Sequence, residues 1–327
     1  METQHRTVSV VMCTFNGEKY LKEQLDSILR QTYPILELIV QDDCSTDNTY
    51  SIVEEYAQKY PFIKLFRNEK QLGINQNFFS AMQRSKGDLI AISDQDDIWE
   101  DNKLEIQVAA IGDKMCCAGK SAPFSSENVS FTVDMREANH TLLRQLFIGT
   151  FSGHNMLITR QLLDETIHLS DFYPFRLYDS ILAIVATAHN SAVFVESVLV
   201  RHRRHLNNST KTYFNPAGNN KTIKNLFNTI KETWYLYRKL RPQIIKILQS
   251  QERFLSNIPS QEPILQDGLK MLHLYTSRYF IDFLRLSVFC AKRGNILCFA
   301  QAKPSFSLCL RGAFFPIYSA IYYKFLL

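Results

Sequence analysis

Over its first hundred residues the chain alternates short apolar runs with helical patterns. That order, βαβαβαβ, predicts an α/β fold with a mainly parallel sheet, helices on both faces and right-handed crossovers. Two further observations frame the reading. Three of the predicted strands break off into polar or acidic turns, which a parallel sheet gathers along one edge. The charge also divides along the chain: residues 1–210 carry 20 Lys+Arg against 27 Asp+Glu, net −7, whereas residues 211–327 carry 17 against 5, net +12. An acidic globular part over 1–210 is therefore expected ahead of a basic, aromatic-rich and mostly helical extension over 211–327.

Residues 8–13 read as the first strand, followed by the turn Thr14-Phe15-Asn16-Gly17. Residues 18–30 have helical spacing, with Leu21, Leu25, Ile28 and Leu29 on one face. A second buried strand over 36–40 ends in Gln41-Asp42-Asp43-Cys44-Ser45-Thr46-Asp47, where Ser45 or Thr46 can cap a helix running to about residue 59. A third strand over 63–66 and a helix over 75–85, closed by Gly87, lead into Asp88-Leu89-Ile90-Ala91-Ile92-Ser93-Asp94-Gln95-Asp96-Asp97-Ile98-Trp99. An apolar strand ending in three acids can seat a hard divalent cation. The competing reading is an acidic cap on the next helix, expected over 100–111. Asp42 or Asp43 can accept hydrogen bonds from a base N–H or a ribose hydroxyl, again with helix capping as the alternative.

The segment 8–21 and the motifs Asp42–Thr49, Leu72-Gly73-Ile74-Asn75-Gln76-Asn77 and Ser93–Trp99, in that order, resemble family 2 glycosyltransferases, and more narrowly the bacterial rhamnosyltransferase-like members that build O-antigen and capsule. The resemblance covers about residues 7–210 and implies a catalytic domain over 1–210, with a nucleotide-sugar half at about 1–112 and an acceptor half at about 113–210. It implies a GT-A fold (Rossmann-like), a nucleotide-diphosphate sugar donor, Mg²⁺ or Mn²⁺, and inversion at the anomeric carbon. One departure is Cys44, where the family has Gly; if the position needs φ > 0, the turn is strained.

Residues 115–139 read as a strand and a variable loop. Residues 142–147 lead into the small-residue turn of Ser152-Gly153-His154-Asn155, an apolar strand and a helix over 160–164, resembling the family's acceptor-side segment. By pattern alone Asp179 is a helix-dipole partner at the head of an apolar helix. By resemblance it is the catalytic base, with Asp171 as fallback, although Tyr178 and Ser180 replace the family's usual neighbours. A strand over 193–200 ends in Arg201-His202-Arg203-Arg204-His205-Leu206-Asn207. Resemblance assigns His205 to the metal or pyrophosphate, in competition with His202, and Arg203 or Arg201 to the leaving diphosphate. The implied nucleotide-sugar site is thus Thr14, Asn16, Asp42, Asp43, Asn77, Asp94 and Arg203, and the metal site Asp94, Asp96 and His205. The Gln-x-x-Arg-Trp motif of processive synthases is absent, so one sugar per encounter is expected.

Other classes fare worse. A first turn without GxGxxG argues against NAD or FAD, and it is a poor phosphate loop for a nucleotidyltransferase. No nucleic-acid motif accompanies the basic tail. Its Lys, Arg and aromatic residues suit an anionic membrane surface, though its apolar stripes could equally pack on the domain. Seven cysteines without CxxC spacing, and a polar lead over 1–7 without a signal-peptide pattern, predict a cytoplasmic protein peripheral on the inner face of the plasma membrane. The expected function is transfer of one sugar from dTDP-rhamnose or a UDP-hexose to a polyprenyl-diphosphate-linked glycan in surface polysaccharide synthesis. The alternative is an inactive GT-A scaffold or nucleotide-binding module.

Overall fold

The structure, a computed structural model, describes residues 6–127, 139–169, 176–205, 223–297 and 305–326. Asp171, Leu206, Asn207 and the predicted apolar run at 129–133 lie outside them. The first half runs β1 (Val8–Thr14), α1 (Leu21–Leu29), β2 (Ile35–Asp42), α2 (Thr49–Lys59), β3 (Ile63–Arg67), α3 (Ile74–Arg84) and β4 (Leu89–Ser93). The four strands are parallel, in the order β3-β2-β1-β4. β1 and β4 are apolar almost throughout because both their faces are covered. Val10 and Met12 enter one core with Leu21, Leu25 and Leu38, while Val11 turns to the other with Phe78, Ile90 and Ile92.

The sheet then changes direction. After β4 come β5 (Ile98–Trp99), α4 (Lys103–Ile111), β6 (Cys116–Phe124), α5 (Leu142–Gln145), a single 3₁₀ turn at Gly153–Asn155, β7 (Leu157–Thr159), α6 (Arg160–Leu169), α7 (Tyr178–Ala188) and β8 (Ala192–Arg203). β7 pairs antiparallel with β4, β6 antiparallel with β7, β8 parallel with β6, and β5 antiparallel with β8. The sheet is therefore mixed, as in GT-A folds, with its parallel half first.

Several boundaries differ from expectation, and two differences have consequences. α2 begins at Thr49, so Ser45 and Thr46 do not cap it. Asp47 accepts the Thr49 N–H instead, at 3.0 Å. α4 begins at Lys103 behind Asn102 rather than at residue 100, and β5 intervenes, so the Asp94–Asp97 acids cap no helix.

The C-terminal part is helical: α8 (Ile223–Ser256), α9 (Pro263–Thr276), α10 (Phe280–Ala291), α11 (Gly294–Leu297), α12 (Phe306–Tyr318) and a final 3₁₀ segment at Ser319–Leu326. Leu240, Leu248, Phe254 and Leu272 are fully buried in one continuous core with Leu142, Leu146 and Leu182 of α5 and α7. Gly268 faces Leu142 and Leu146 at a distance where an added Cβ would already be tight (3.2 Å to Leu142). The inward stripe of these helices thus completes the second core. Other side chains point outward: Tyr279, Phe280, Ile281, Leu284 and Val288 about α10, and Phe306, Leu310, Phe314 and Tyr318 on α12, are all exposed.

A shared core predicts shared unfolding. Leu240→Ala should cost about 2–5 kcal/mol of stability, and chemical denaturation followed by far-UV CD and by Trp99 fluorescence in a Trp234→Phe background should stay a single transition. Two separated transitions would show that the extension folds on its own.

Candidate active site

Three strand ends meet on one edge. After β1, Asn16 adopts φ 48°, and its backbone N–H donates to Ser45 Oγ at 2.9 Å while its Oδ1 accepts the Thr46 N–H, also at 2.9 Å. After β2, the two adjacent acids part. Asp42 turns inward, wholly buried, accepting from Thr14 Oγ1 (3.1 Å) and the Ser45 N–H (2.9 Å), with Arg67 Nε 3.6 Å away. Asp43 faces the cleft and accepts the Leu72 and Gly73 N–H groups (2.7 and 2.9 Å) and Asn68 Nδ2. Cys44 between them and Ser45 stands at φ 65°, the left-handed conformation in which a Gly would carry no strain. Asn77, the first-turn residue of α3 aimed at the same edge, accepts from Asn68 Nδ2 at 2.8 Å.

β5 carries the acidic turn to its partners. Its Ile98–Trp99 pairs with Arg201 and Val200 of β8, which sets Asp94, Asp96 and Asp97 beside His202, Arg203 and His205. His205 Nε2 stands 2.8 Å from Asp96 Oδ2. Gln95 turns back to clamp the first loop, taking the Phe15 N–H at 2.9 Å and giving to the Phe15 carbonyl at 3.0 Å. The oxygens of Asp94, Asp96 and Asp97 lie within 4.8 Å of one another. Burial, then the Asp96 and Asp179 charges, push Asp94 up to about 8. Burial, then Asp94 and Asp96, hold Asp97 well above the carboxylate range.

The opposite wall comes from α7. Asp179 Oδ2 accepts the Gly153 N–H (3.1 Å) and Oδ1 the Ser180 N–H (2.7 Å), and burial raises its pKa against those donors. Asn75 Oδ1 accepts the Tyr178 N–H at 2.8 Å, tying the helix start to α3. The Tyr178 ring stacks on Phe78 and lies so close to Gly153 that a Cβ there would fall 2.1 Å from its hydroxyl.

These parts enclose one cleft of about 540 Å³. Thr14, Asn16, Asp43, Asn77, Asp94, Asp96, Asp179 and His205 line it. Asp42 and Arg203, two residues expected on the nucleotide sugar, do not. Asp42 is consumed by its turn, and Arg203 is only 2% exposed, its guanidinium bonded to the Asp96 carbonyl (2.8 Å), Ser126 Oγ (3.1 Å) and Glu23 Oε2 (3.1 Å). His154 was not expected at all, yet it lines the cleft with His202, their ring centroids 4.4 Å apart. Its signal in the sequence was slight, one histidine beside a Ser-Gly turn.

A divalent cation fits the acidic wall. Among the described residues Asp97 Oδ2 is buried without a hydrogen-bond partner, and Asp94 and Asp97 keep raised pKa values, Asp97 even with the Arg203 charge nearby. Asp94 and Asp96 offer oxygens to the cleft, and His205 adds an imidazole next to Asp96.

Comparison with known proteins places this geometry. Residues 9–167 match the family model described as "Glycosyl transferase family 2". Over 102 residues the chain is 40% identical to UDP-Glc:alpha-D-GlcNAc-diphosphoundecaprenol beta-1,3-glucosyltransferase WfgD of Escherichia coli, covering 31% of this chain and 40% of that protein. Over 109 residues it is 33% identical to the putative teichuronic acid biosynthesis glycosyltransferase TuaG of Bacillus subtilis (strain 168), covering 33% and 43%. The matches thus span less than half the length of these relatives. Among solved structures, TarS 1–349 of S. aureus in complex with UDP-GlcNAc overlays with a TM-score of 0.57 at 17% identity, across 98% of this chain and 91% of that one. The likeness establishes the GT-A fold.

The raised carboxylates fix the sign of a pH effect. An acid whose folded pKa is raised costs nothing below its unfolded value, near 3.8, and costs progressively more as pH climbs toward the folded value. The metal-stripped protein should therefore lose thermal stability from about pH 5 to 8, the upper bound being the value near 8 for Asp94. Mn²⁺ should restore more at pH 8 than at pH 5.5, because carboxylate ligands must be deprotonated. Differential scanning fluorimetry with chelator and with Mn²⁺ reads both; a flat profile in chelator would contradict the electrostatic picture.

Proposed function

From a chain whose residues 9–167 form a family 2 glycosyltransferase domain, we propose that the cleft moves one sugar, with inversion, from a nucleotide-diphosphate sugar to a glycan acceptor. The carrying observation is the opposition of two unlike acidic groups across one cleft: Asp94 and Asp96 on the β4 turn, and Asp179 on α7 near enough to raise the Asp94 pKa. Asp43, Asn77, Thr14 and Asn16 take the nucleoside. Asp94, Asp96 and His205 would hold Mg²⁺ or Mn²⁺, which supplies positive charge against the diphosphate as it departs.

Asp179 acts on the acceptor. Its carboxylate is aimed by the Gly153 and Ser180 N–H groups and made more basic by desolvation. It takes the acceptor hydroxyl proton as that oxygen bonds to the anomeric carbon, the bond to the diphosphate breaks on the opposite face, and the nucleoside diphosphate leaves with the electron pair. Oxocarbenium character at the anomeric carbon is expected, as in glycoside hydrolysis. Arg203 serves by holding the acidic turn in place rather than by meeting the diphosphate.

Donor and acceptor follow the relatives. dTDP-rhamnose or a UDP-hexose is the donor class, and the name of the E. coli relative, with UDP-Glc and a diphosphoundecaprenol-linked sugar, favours a polyprenyl-diphosphate-linked acceptor in surface polysaccharide synthesis. A lipid-linked acceptor fits the outward apolar side chains of α10 and α12. Residues 277–327 carry seven Lys+Arg against one Asp, which matches an anionic leaflet. No helix among the described residues is long and apolar enough to cross a membrane, so the contact proposed is peripheral, on the inner face of the plasma membrane.

Calorimetry with UDP, dTDP and GDP, with and without Mn²⁺, should find one nucleotide that binds in a metal-dependent way, and Asp96→Ala should abolish that dependence. Failure of all three nucleotides would remove the transferase reading. Asp179→Asn should lower kcat about 10²–10⁴-fold with the donor Kd unchanged; an unchanged kcat would move the base elsewhere. Phe306→Glu with Phe314→Glu should release the protein from sedimenting vesicles rich in phosphatidylglycerol, and equal binding by the double variant would overturn the membrane contact.

A further inference from the structure

Behind the carboxylate pair lies a second group of ligand atoms with a different chemistry. We propose that Asp97, His154 and His202 form a seat for a divalent transition metal at the floor of the cleft, separate from the Asp94–Asp96 seat. The proposal does not depend on sugar transfer.

One ligand atom from each of the three residues lies within 4.8 Å of the others. The second observation is Asp97 itself. It is fully buried, its Oδ1 accepts the Arg203 N–H at 2.8 Å, and its Oδ2 has no donor among the described residues. A buried carboxylate oxygen left so is expensive, and the group facing it should be one that donates charge. What faces it is His154 Nδ1, 3.9 Å away and 3.8 Å from Asp94 Oδ2. Both spacings are too long for hydrogen bonds. The 3.9 Å between His154 Nδ1 and Asp97 Oδ2 is what two ligands show across a single ion bonded to each at about 2.0–2.2 Å.

The imidazole is oriented for that use. His154 Nε2 is 2.8 Å from Ser121 Oγ, and Ser121 is held in turn by Asn155 Nδ2 at 3.0 Å. With Nε2–H donated to the serine, Nδ1 keeps its lone pair toward Asp97, the outer-shell arrangement that fixes a histidine ligand. His202 presents its ring beside that of His154 from the β8 side. Asp94, His154 and His202 all line the cleft, so an ion has a way in.

Ligand type separates the two seats. Carboxylates and water suit Mg²⁺ and Mn²⁺, whereas two imidazoles with one carboxylate favour Zn²⁺, Co²⁺, Fe²⁺ or Cu²⁺. Asp97 belongs to both groups of ligand atoms, so a transition ion on the floor alters the charge felt by the Asp94–Asp96 seat.

The test uses metals alone. Chelator-stripped full-length protein is titrated with Zn²⁺, with bound metal counted after gel filtration, and loaded with Cu²⁺ for electron spin-echo measurements of coupled imidazole nitrogen. Wild type should bind Zn²⁺ and show two coupled imidazoles. His202→Ala should weaken Zn²⁺ binding by at least about tenfold and leave one coupling. Asp94→Asn with Asp96→Asn should keep both couplings, which separates this site from failure of the donor site. The proposal falls if wild type shows no imidazole coupling, if His202→Ala changes neither readout, or if His205→Ala alone removes the signal. His154→Gln repeats the test from the other ligand, and His202, only partly buried, supplies the variant that stays folded should the first fail.

Discussion

The site hangs on a buried guanidinium. Arg203 reaches from the end of β8 under the acidic turn, donating its Nε to the Asp96 carbonyl while its own backbone N–H fills Asp97 Oδ1. The rings of Tyr20 and Phe124 lie against the guanidinium at 4.5 and 4.6 Å, and Glu23 of α1 takes its far end. One side chain thereby joins the parallel half of the sheet to the antiparallel half at the point where the acids are displayed. Glu23 is exposed to solvent, so the main loss on truncating Arg203 is the donor to the Asp96 carbonyl, about 1–3 kcal/mol for a buried group left unpaired. A planar fork of donors on three nitrogens reaches a carbonyl, a hydroxyl and a carboxylate on different sides; the three donors of an ammonium radiate from a single atom and lack that spread.

That clamp explains how like charges are kept together. Asp94, Asp96, Asp97 and Asp179 share one low-dielectric space, and burial leads the causes that raise Asp94, Asp97 and Asp179. Backbone N–H donors offset part of the cost: Gly153 and Ser180 at Asp179, Arg203 at Asp97. The remainder is stored as appetite for positive charge. On the proposed reading, a site with preset donors and crowded carboxylates would not need to reorganise for a cation and a diphosphate, which is how electrostatic catalysis is usually supplied.

The parallel half was legible because its signals are local. Strands β1 to β4 read as apolar runs buried on both faces, and their acidic ends follow from topology alone. The antiparallel half was not. β5 is two residues long, too short for any periodicity, yet it settles which β8 side chains meet the acids. Asp42 and Asp43 could not be told apart from the sequence, since neighbouring strand-end residues point to opposite faces. The left-handed Cys44 and the turn hydroxyls of Thr14 and Ser45 decide that Asp42 braces the loop and Asp43 meets the cleft. The placement of Arg203 was hidden for a related reason: charge predicts an anionic partner, but not that the guanidinium lies on the Asp96 carbonyl and Glu23. His154 was hidden because a 3₁₀ turn of three residues carries no pattern.

The C-terminal helices belong to the same argument, although by composition they look like an appendage. α7 carries Asp179 at its first turn, and its other end is held by Ser260 Oγ on the Ala188 carbonyl at 2.9 Å. Leu146, at the end of α5, gives its carbonyl both to Arg176, just before α7, and to Gln251 of α8. The helix that aims the acid is therefore tied at one end to α3 through Asn75, and it shares one continuous core, by way of α5, with the extension's buried stripe. A base must sit within hydrogen-bond reach of its proton, where a misplacement of about 1 Å can cost 100-fold in rate. Helices that bury one face in the core shared with α7, the helix of the proposed base, and turn aromatic side chains outward join two requirements in one element. Any surface those outward residues meet is mechanically continuous with the helix that positions Asp179.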